Sequence, residues 1–181
     1  MHPRLEELLG HIDRNHRAFL AEVERIPVPL RAVRPEPTRW SVAEVTDHLA
    51  IVTSRVAKML GHRAAVARTD GLGPDPDHSP VVGTIDVARI IARTDILVAP
   101  SSVVPSAAAD ATLAEEELAE AHRRLRDAVV ASDGVDLSQI TLAHPALGDL
   151  NFYQWLSFIG AHESRHAQQV AEIGEALRSR V

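Results

Sequence analysis

Asn151-Phe152-Tyr153-Gln154-Trp155-Leu156-Ser157-Phe158-Ile159-Gly160-Ala161-His162-Glu163-Ser164-Arg165-His166 is the stretch that decides how this chain folds. Asn151 with Gln154 three residues on marks a helix start, because each side chain can satisfy a free backbone N–H there. The helix is expected to continue to about Ser179, with Phe152, Trp155, Leu156, Ile159, Val170, Ile173 and Leu177 on its buried side. Each residue advances about 100° around the axis, so with Phe152 at zero His162 falls at roughly 280° and His166 at roughly 320°. Both histidines therefore lie on the apolar arc, one turn apart. Two imidazoles so placed either chelate one metal ion or stand as separately hydrogen-bonded core residues, since each costs desolvation if left without a partner.

Working outward, Ser41 and Glu44 form a capping box that opens another helix, expected to last to about Ala67. Its stripe is Val45, Leu49, Val52, Val56 and Met59, and His48 lies inside that stripe. A first helix is expected from Pro3 to Ile26, stopped by Pro27 and Pro29, with an extended connector to Thr38. A third is expected to start at Thr112, capped by Thr112 and Glu115, and to end near Ser132-Asp133-Gly134. Residues 69–111 hold Gly71, Gly73, Pro74, Pro76, Pro80, Pro100 and Pro105 and read as a long crossover, with a short helix over Ile85–Leu97. Connectors of that length often form a lid or a pocket wall. No segment alternates as a strand. The expectation is an all-α, four-helix bundle with a long crossover connection, one domain over residues 1–181.

Composition narrows the function. The net charge is −6 and basic residues are interleaved with acidic ones, as in Glu120–Asp127, which argues against a nucleic-acid partner. There is no cysteine, so disulfides, thiolate ligands and a cysteine nucleophile are out. No apolar run approaches the roughly 20 residues needed to cross a bilayer, and Met1–Glu7 lacks the regions of a signal peptide. A cytoplasmic protein with no membrane contact is expected.

Ten histidines occur, and position separates them. His48, His162 and His166 are the candidate metal ligands; three neutral imidazoles leave coordination positions open for water or substrate. His16 and His122 lie on the apolar arcs of their helices and are open to three readings: ligand, support for a ligand, or core. His11, His62, His78 and His144 read as surface or loop residues, His144 beside a pocket. His162-Glu163-Ser164-Arg165-His166 matches the zinc-protease pattern H-E-x-x-H, but no following helix within the 181 residues could supply the usual glutamate ligand. Glu163, at roughly 20° on the wheel, is inside the apolar arc and needs a partner. It reads either as a general base or as half of an ion pair with Arg165 or Arg123.

With these residues in hand, the chain resembles the DinB-like superfamily of DinB/YfiT-like metalloenzymes. Trp40-Ser41-Val42-Ala43-Glu44-Val45-Thr46-Asp47-His48-Leu49-Ala50 is similar to the family's second-helix signature. His144-Pro145-Ala146-Leu147-Gly148 through Phe152-Tyr153-Gln154-Trp155-Leu156 resembles the entry to its last helix, and His162, His166 and Gln169 follow at the family's spacing. The resemblance covers the whole chain. It implies a four-helix bundle with His48, His162 and His166 as ligands of zinc, nickel or a similar divalent transition metal, with Glu163 at a variable position. It also implies, from relatives that use mycothiol, bacillithiol or glutathione, a low-molecular-weight-thiol S-transferase acting on small electrophiles, and a homodimer.

The leading expectation is thus a metal-dependent enzyme on a small-molecule substrate, with a soluble thiol as co-substrate. The alternatives are a metal-dependent small-molecule hydrolase, with Glu163 as its base, and a non-enzymatic metal-stabilised binding or stress-response module.

Overall fold

Residues 1–84, Ile91 and residues 99–179 are described by the structure, a computed structural model. The short helix expected over residues 85–97 lies, apart from Ile91, outside the described residues. Among the described residues four helices exceed twenty residues: α1 (Pro3–Glu24), α3 (Val42–Thr69), α4 (Ala111–Ala131) and α5 (Phe152–Arg178). A one-turn helix, α2 (Val28–Arg31), interrupts the connector expected to be extended. Pro29 in its first turn supplies a fixed helical φ, and prolines that stop one helix can start another. None of these helices is long and apolar enough to cross a membrane.

Capping follows the sequence at two of three sites. Ser41 Oγ accepts from Glu44 N while Glu44 Oε2 accepts from Ser41 N at 2.8 Å, and Asn151 and Gln154 make the same reciprocal pair. At α4 the expectation fails. Asp110, not Thr112, is the cap, accepting from Leu113 N at 2.9 Å, and Thr112 stands exposed inside the first turn. Either side chain can accept from a backbone N–H three residues on, and the carboxylate also gains from the positive end of the helix dipole.

The absence of strands is also corrected. Thr141–His144 (β1) and Gly148–Asn151 (β2) form an antiparallel hairpin that leads into α5. The turn is made by His144 Nδ1, which accepts from Ala146 N and Leu147 N, and by Gly148 at φ 78°, open to glycine without strain. Trp155 Nε1 donates to Leu142 O and fixes the hairpin on α5. Neither strand has the β-branched alternation that identifies strands in a sequence.

α1 packs chiefly along α5 and α3 along α4. The start of the crossover is fastened across α1 and α5 by a buried polar knot. Arg4 Nη1 donates to Asp75 Oδ2 at 3.0 Å, Tyr153 Oη donates to the same oxygen at 2.8 Å, and Arg4 Nε donates to Ser79 O. The tyrosine hydroxyl is pushed well above its ordinary pKa by burial and by the Asp75 carboxylate it bonds to.

The apolar interior falls into two clusters at different levels of the helices. One holds Leu5, Leu8, Ile12, Val52, Leu60, Leu125, Phe152, Leu156 and Ile159; the other holds Phe19, Val23, Val45, Leu49, Leu118, Val170 and Ile173. On α1, α4 and α5 the changeover falls at a site candidate, His16, His122, and His162, Glu163 and His166 respectively, and on α3 His48 lies just before it, among the last members of the second cluster. A polar layer thus separates two apolar ones.

Candidate metal centre

His48 stands on the second turn of α3, whose start is locked by the Ser41–Glu44 box and by Arg34 Nε donating to Glu44 Oε2 at 2.9 Å. Glu44 is held below the ordinary carboxylate range: burial alone would raise it, but the bonds from Arg34 and Ser41 outweigh that. From α5, one turn apart, come His162 and His166. His48 and His166 are buried and His162 is partly buried.

The three imidazoles converge. His162 Nε2 lies 3.4 Å from His48 Nε2 and 3.1 Å from His166 Nε2. A divalent ion bound tetrahedrally at about 2.0–2.1 Å holds its nitrogens about 3.3 Å apart, so two of the three separations already suit such an ion, and all three donor atoms lie within 4.8 Å of one another. The far sides of two rings fix the tautomer. His48 Nδ1 bonds Val103 O at 2.7 Å, and a carbonyl can only accept, so the proton sits on Nδ1. His166 Nδ1 likewise bonds Gln169 Oε1 at 2.8 Å. Both Nε2 atoms therefore offer lone pairs toward His162, an arrangement that a cation relieves. Carbonyl or amide partners of this kind orient metal-binding histidines.

Electrostatics act in the same direction. His162 is held well below 6.5 by burial and then by the neighbouring His166 and His48, and His48 is lowered mainly by burial. Both are neutral, ligand-competent imidazoles at pH 7. Phe158 stacks on His162 with centroids 5.1 Å apart, and Trp40 lies 5.1 Å from the His48 ring. The crossover closes on the site through the single helical turn Ser101–Val103, and Ser106 N donates to Asp47 Oδ2 at 2.8 Å.

His144 reaches the rings of Trp155 and Phe158 at 4.9 Å and 4.5 Å, so it belongs to the aromatic wall beside His162 rather than to a free loop. His62 and His78 are exposed as expected, but His11 is half-buried against Gly160 of α5. Glu163 is fully buried, yet its partners are neither Arg165 nor Arg123. His122 Nε2 lies 2.5 Å from Glu163 Oε1, and Arg123 pairs with Glu120. Turned about 100° from His162 on the same helix, Glu163 makes no hydrogen bond to His48, His162 or His166. The role of Gln169 was legible only as family spacing; its contact with His166 is what explains it.

A mostly helical protein with inward histidines able to hold a divalent ion is the class that this fold and site define. The chain belongs to the DinB superfamily, whose sequence pattern matches residues 11–170. It is 30% identical over 145 residues to the uncharacterized protein YuaE of Bacillus subtilis (strain 168), a match spanning 80% of this chain and 83% of that protein. No solved structure matches the chain.

Proposed function

We propose that the protein is a divalent-metal-dependent enzyme, a single-domain four-helix bundle with a long crossover, in which His48, His162 and His166 hold zinc or nickel. It transfers a low-molecular-weight thiol, of the mycothiol, bacillithiol or glutathione kind, to a small electrophile. The observation that carries the reading is the convergence of three Nε2 atoms at 3.1 and 3.4 Å with Nδ1 protons committed elsewhere. An ion there would lower the pKa of a coordinated thiol or water and so provide a nucleophile near neutral pH.

The chain's own residues do the rest. Val103 O and Gln169 Oε1 hold two rings in their ligand tautomers. Trp40 and Phe158 wall the site and limit water. Three protein ligands leave positions for a substrate atom. The absence of any cysteine in the chain makes an external thiol the fitting sulfur source. The same reading makes the protein a cytoplasmic homodimer; sedimentation at micromolar concentration tests the dimer.

The test of function is transfer of mycothiol, bacillithiol or glutathione to an electrophile such as an alkyl halide or a maleyl compound, with and without chelator. Chelator-sensitive transfer, abolished in His48→Ala, is expected. Wild-type rates equal to the metal-free control with every thiol would overturn it, and chelator-sensitive cleavage of simple esters or amides would move the assignment to a hydrolase.

A further inference from the structure

The polar layer contains a second cluster that the three-histidine site does not use. His16 on α1, His122 on α4 and Glu163 on α5 bring one donor atom each to within 4.8 Å of one another. His122 Nε2 is 2.5 Å from Glu163 Oε1, and His16 Nδ1 is 3.4 Å from the same oxygen but without hydrogen-bond geometry. The two imidazoles stack, with centroids 3.7 Å apart and planes at 26°.

Two buried atoms of this cluster have no hydrogen-bond partner: Glu163 Oε2 and His16 Nδ1. Glu163 is 0% exposed. A buried carboxylate oxygen and a buried imidazole nitrogen left unsatisfied each carry a desolvation cost. A proton on His122 neutralises Glu163 but leaves both atoms orphaned. Protonating His16 as well sets two cations face to face at 3.7 Å. A divalent cation held by Nδ1 of one neutral ring, Nε2 of the other and the carboxylate satisfies His16 Nδ1 directly, and satisfies Glu163 Oε2 as well when the carboxylate binds through both oxygens.

We infer that His16, His122 and Glu163 form a second divalent transition-metal site, distinct from the one at His48, His162 and His166. Two histidines and one carboxylate are a ligand set for zinc or ferrous iron with positions left open. A cavity of about 220 Å³, lined by His16, His122, Asp13, Ile12, Arg123 and Arg126, opens against the two histidines of the cluster. The 3.4 Å separation already suits a tetrahedral ion, and the 2.5 Å contact lengthens toward about 3 Å when the shared proton leaves. The two sites are bound to one another through the chain: His162 serves the first and Glu163 the second.

Cobalt(II) titration, read by visible absorption and by elemental analysis after desalting, tests the inference. Wild type is expected to hold two equivalents. The His16→Ala/His122→Ala and His48→Ala/His162→Ala/His166→Ala variants are each expected to hold one. Glu163→Gln preserves the side-chain volume and stays folded if the paired histidine variant does not; it is expected to bind its second equivalent at least tenfold more weakly. Two equivalents of unchanged affinity in Glu163→Gln, or a single wild-type equivalent lost in the His48/His162/His166 variant, would overturn the second site. A single equivalent lost instead with His16 and His122 would sustain it and overturn the first.

Discussion

His48 Nε2 and His162 Nε2 lie 3.4 Å apart although 114 residues separate them in the chain. The contact depends on α3 and α5 meeting at the level where both apolar clusters give way to polar residues. Removing one ring should therefore empty the site without collapsing the helices. His162→Ala is expected to lose one equivalent of bound metal relative to wild type while keeping its helical circular dichroism. Equal metal content in the two proteins would sink the ligand assignment.

Gln169 offers a finer test. Its amide oxygen accepts from His166 Nδ1, so Gln169→Leu leaves that proton without its partner and frees the ring to turn. Loss of such supporting partners weakens metal binding by about 10–100-fold. Competition with a chromogenic chelator should show that drop, with stoichiometry at saturation unchanged. Unaltered affinity would mean that the Gln169 contact does not orient the ligand.

The pH dependence follows from the buried histidines. His48 and His162 both titrate below 6.5 in the folded protein, because burial disfavours the charged ring. Their unfolded counterparts take up protons first as pH falls, so the unfolded state binds more protons in that range and stability rises with pH there. The contribution is complete above about 6.5 and is lost progressively below it. Glu44 and Glu163, held below 4.5, add their own loss only under pH 4.5. Urea unfolding of the chelated protein from pH 8 to 5 should show a plateau and then a decline beginning near 6.5. A flat profile to pH 5 would contradict the neutral-imidazole account.

α1 and α5 approach each other closely at Gly160. A Cβ added there would fall on the His11 imidazole. Alanine favours a helix over glycine by about 1 kcal/mol, but overpacking costs about 1–3 kcal/mol, and to give way the half-buried His11 ring must leave Asn15 Nδ2, 3.4 Å from its Nδ1. Gly160→Ala is expected to destabilise the protein, and His11→Ala in the same chain to recover most of that loss. A double-mutant cycle in denaturant measures it; additivity of the two changes would rule out the clash.

The Arg4–Asp75–Tyr153 knot should matter more than any surface ion pair. Both charged side chains are nearly inaccessible, at 8% and 2%. Removing Asp75 leaves Arg4 its bonds to Asp77 and Ser79 but takes the acceptor from Tyr153 Oη, so the cost is that of lost charged hydrogen bonds and a stranded hydroxyl, about 1–3 kcal/mol. Asp75→Ala is expected to lower the unfolding free energy by that order. A change under ~1 kcal/mol, as found for exposed pairs, would show that the crossover start contributes little.

Local order was legible from the residues alone because it is written at helical spacing. The stripes on α1, α3, α4 and α5, the Ser41–Glu44 and Asn151–Gln154 boxes, and the inward positions of His48, His162 and His166 follow from about 3.6 residues per turn and from which side chains can reach a free N–H. The same spacing placed His16, His122 and Glu163 inside, but not together. Which of six polar groups share a site depends on how far around and how far along each helix sits against its neighbours, and no single helix contains that information. Tertiary packing alone decided that Glu163 meets His122 and His16 rather than an arginine. It likewise decided that Asp75 joins Arg4 to Tyr153 and that residues 141–151 turn back as a hairpin held by Trp155. Each of these joins groups distant in sequence or lacking a repeat, and a periodic pattern carries no record of such contacts.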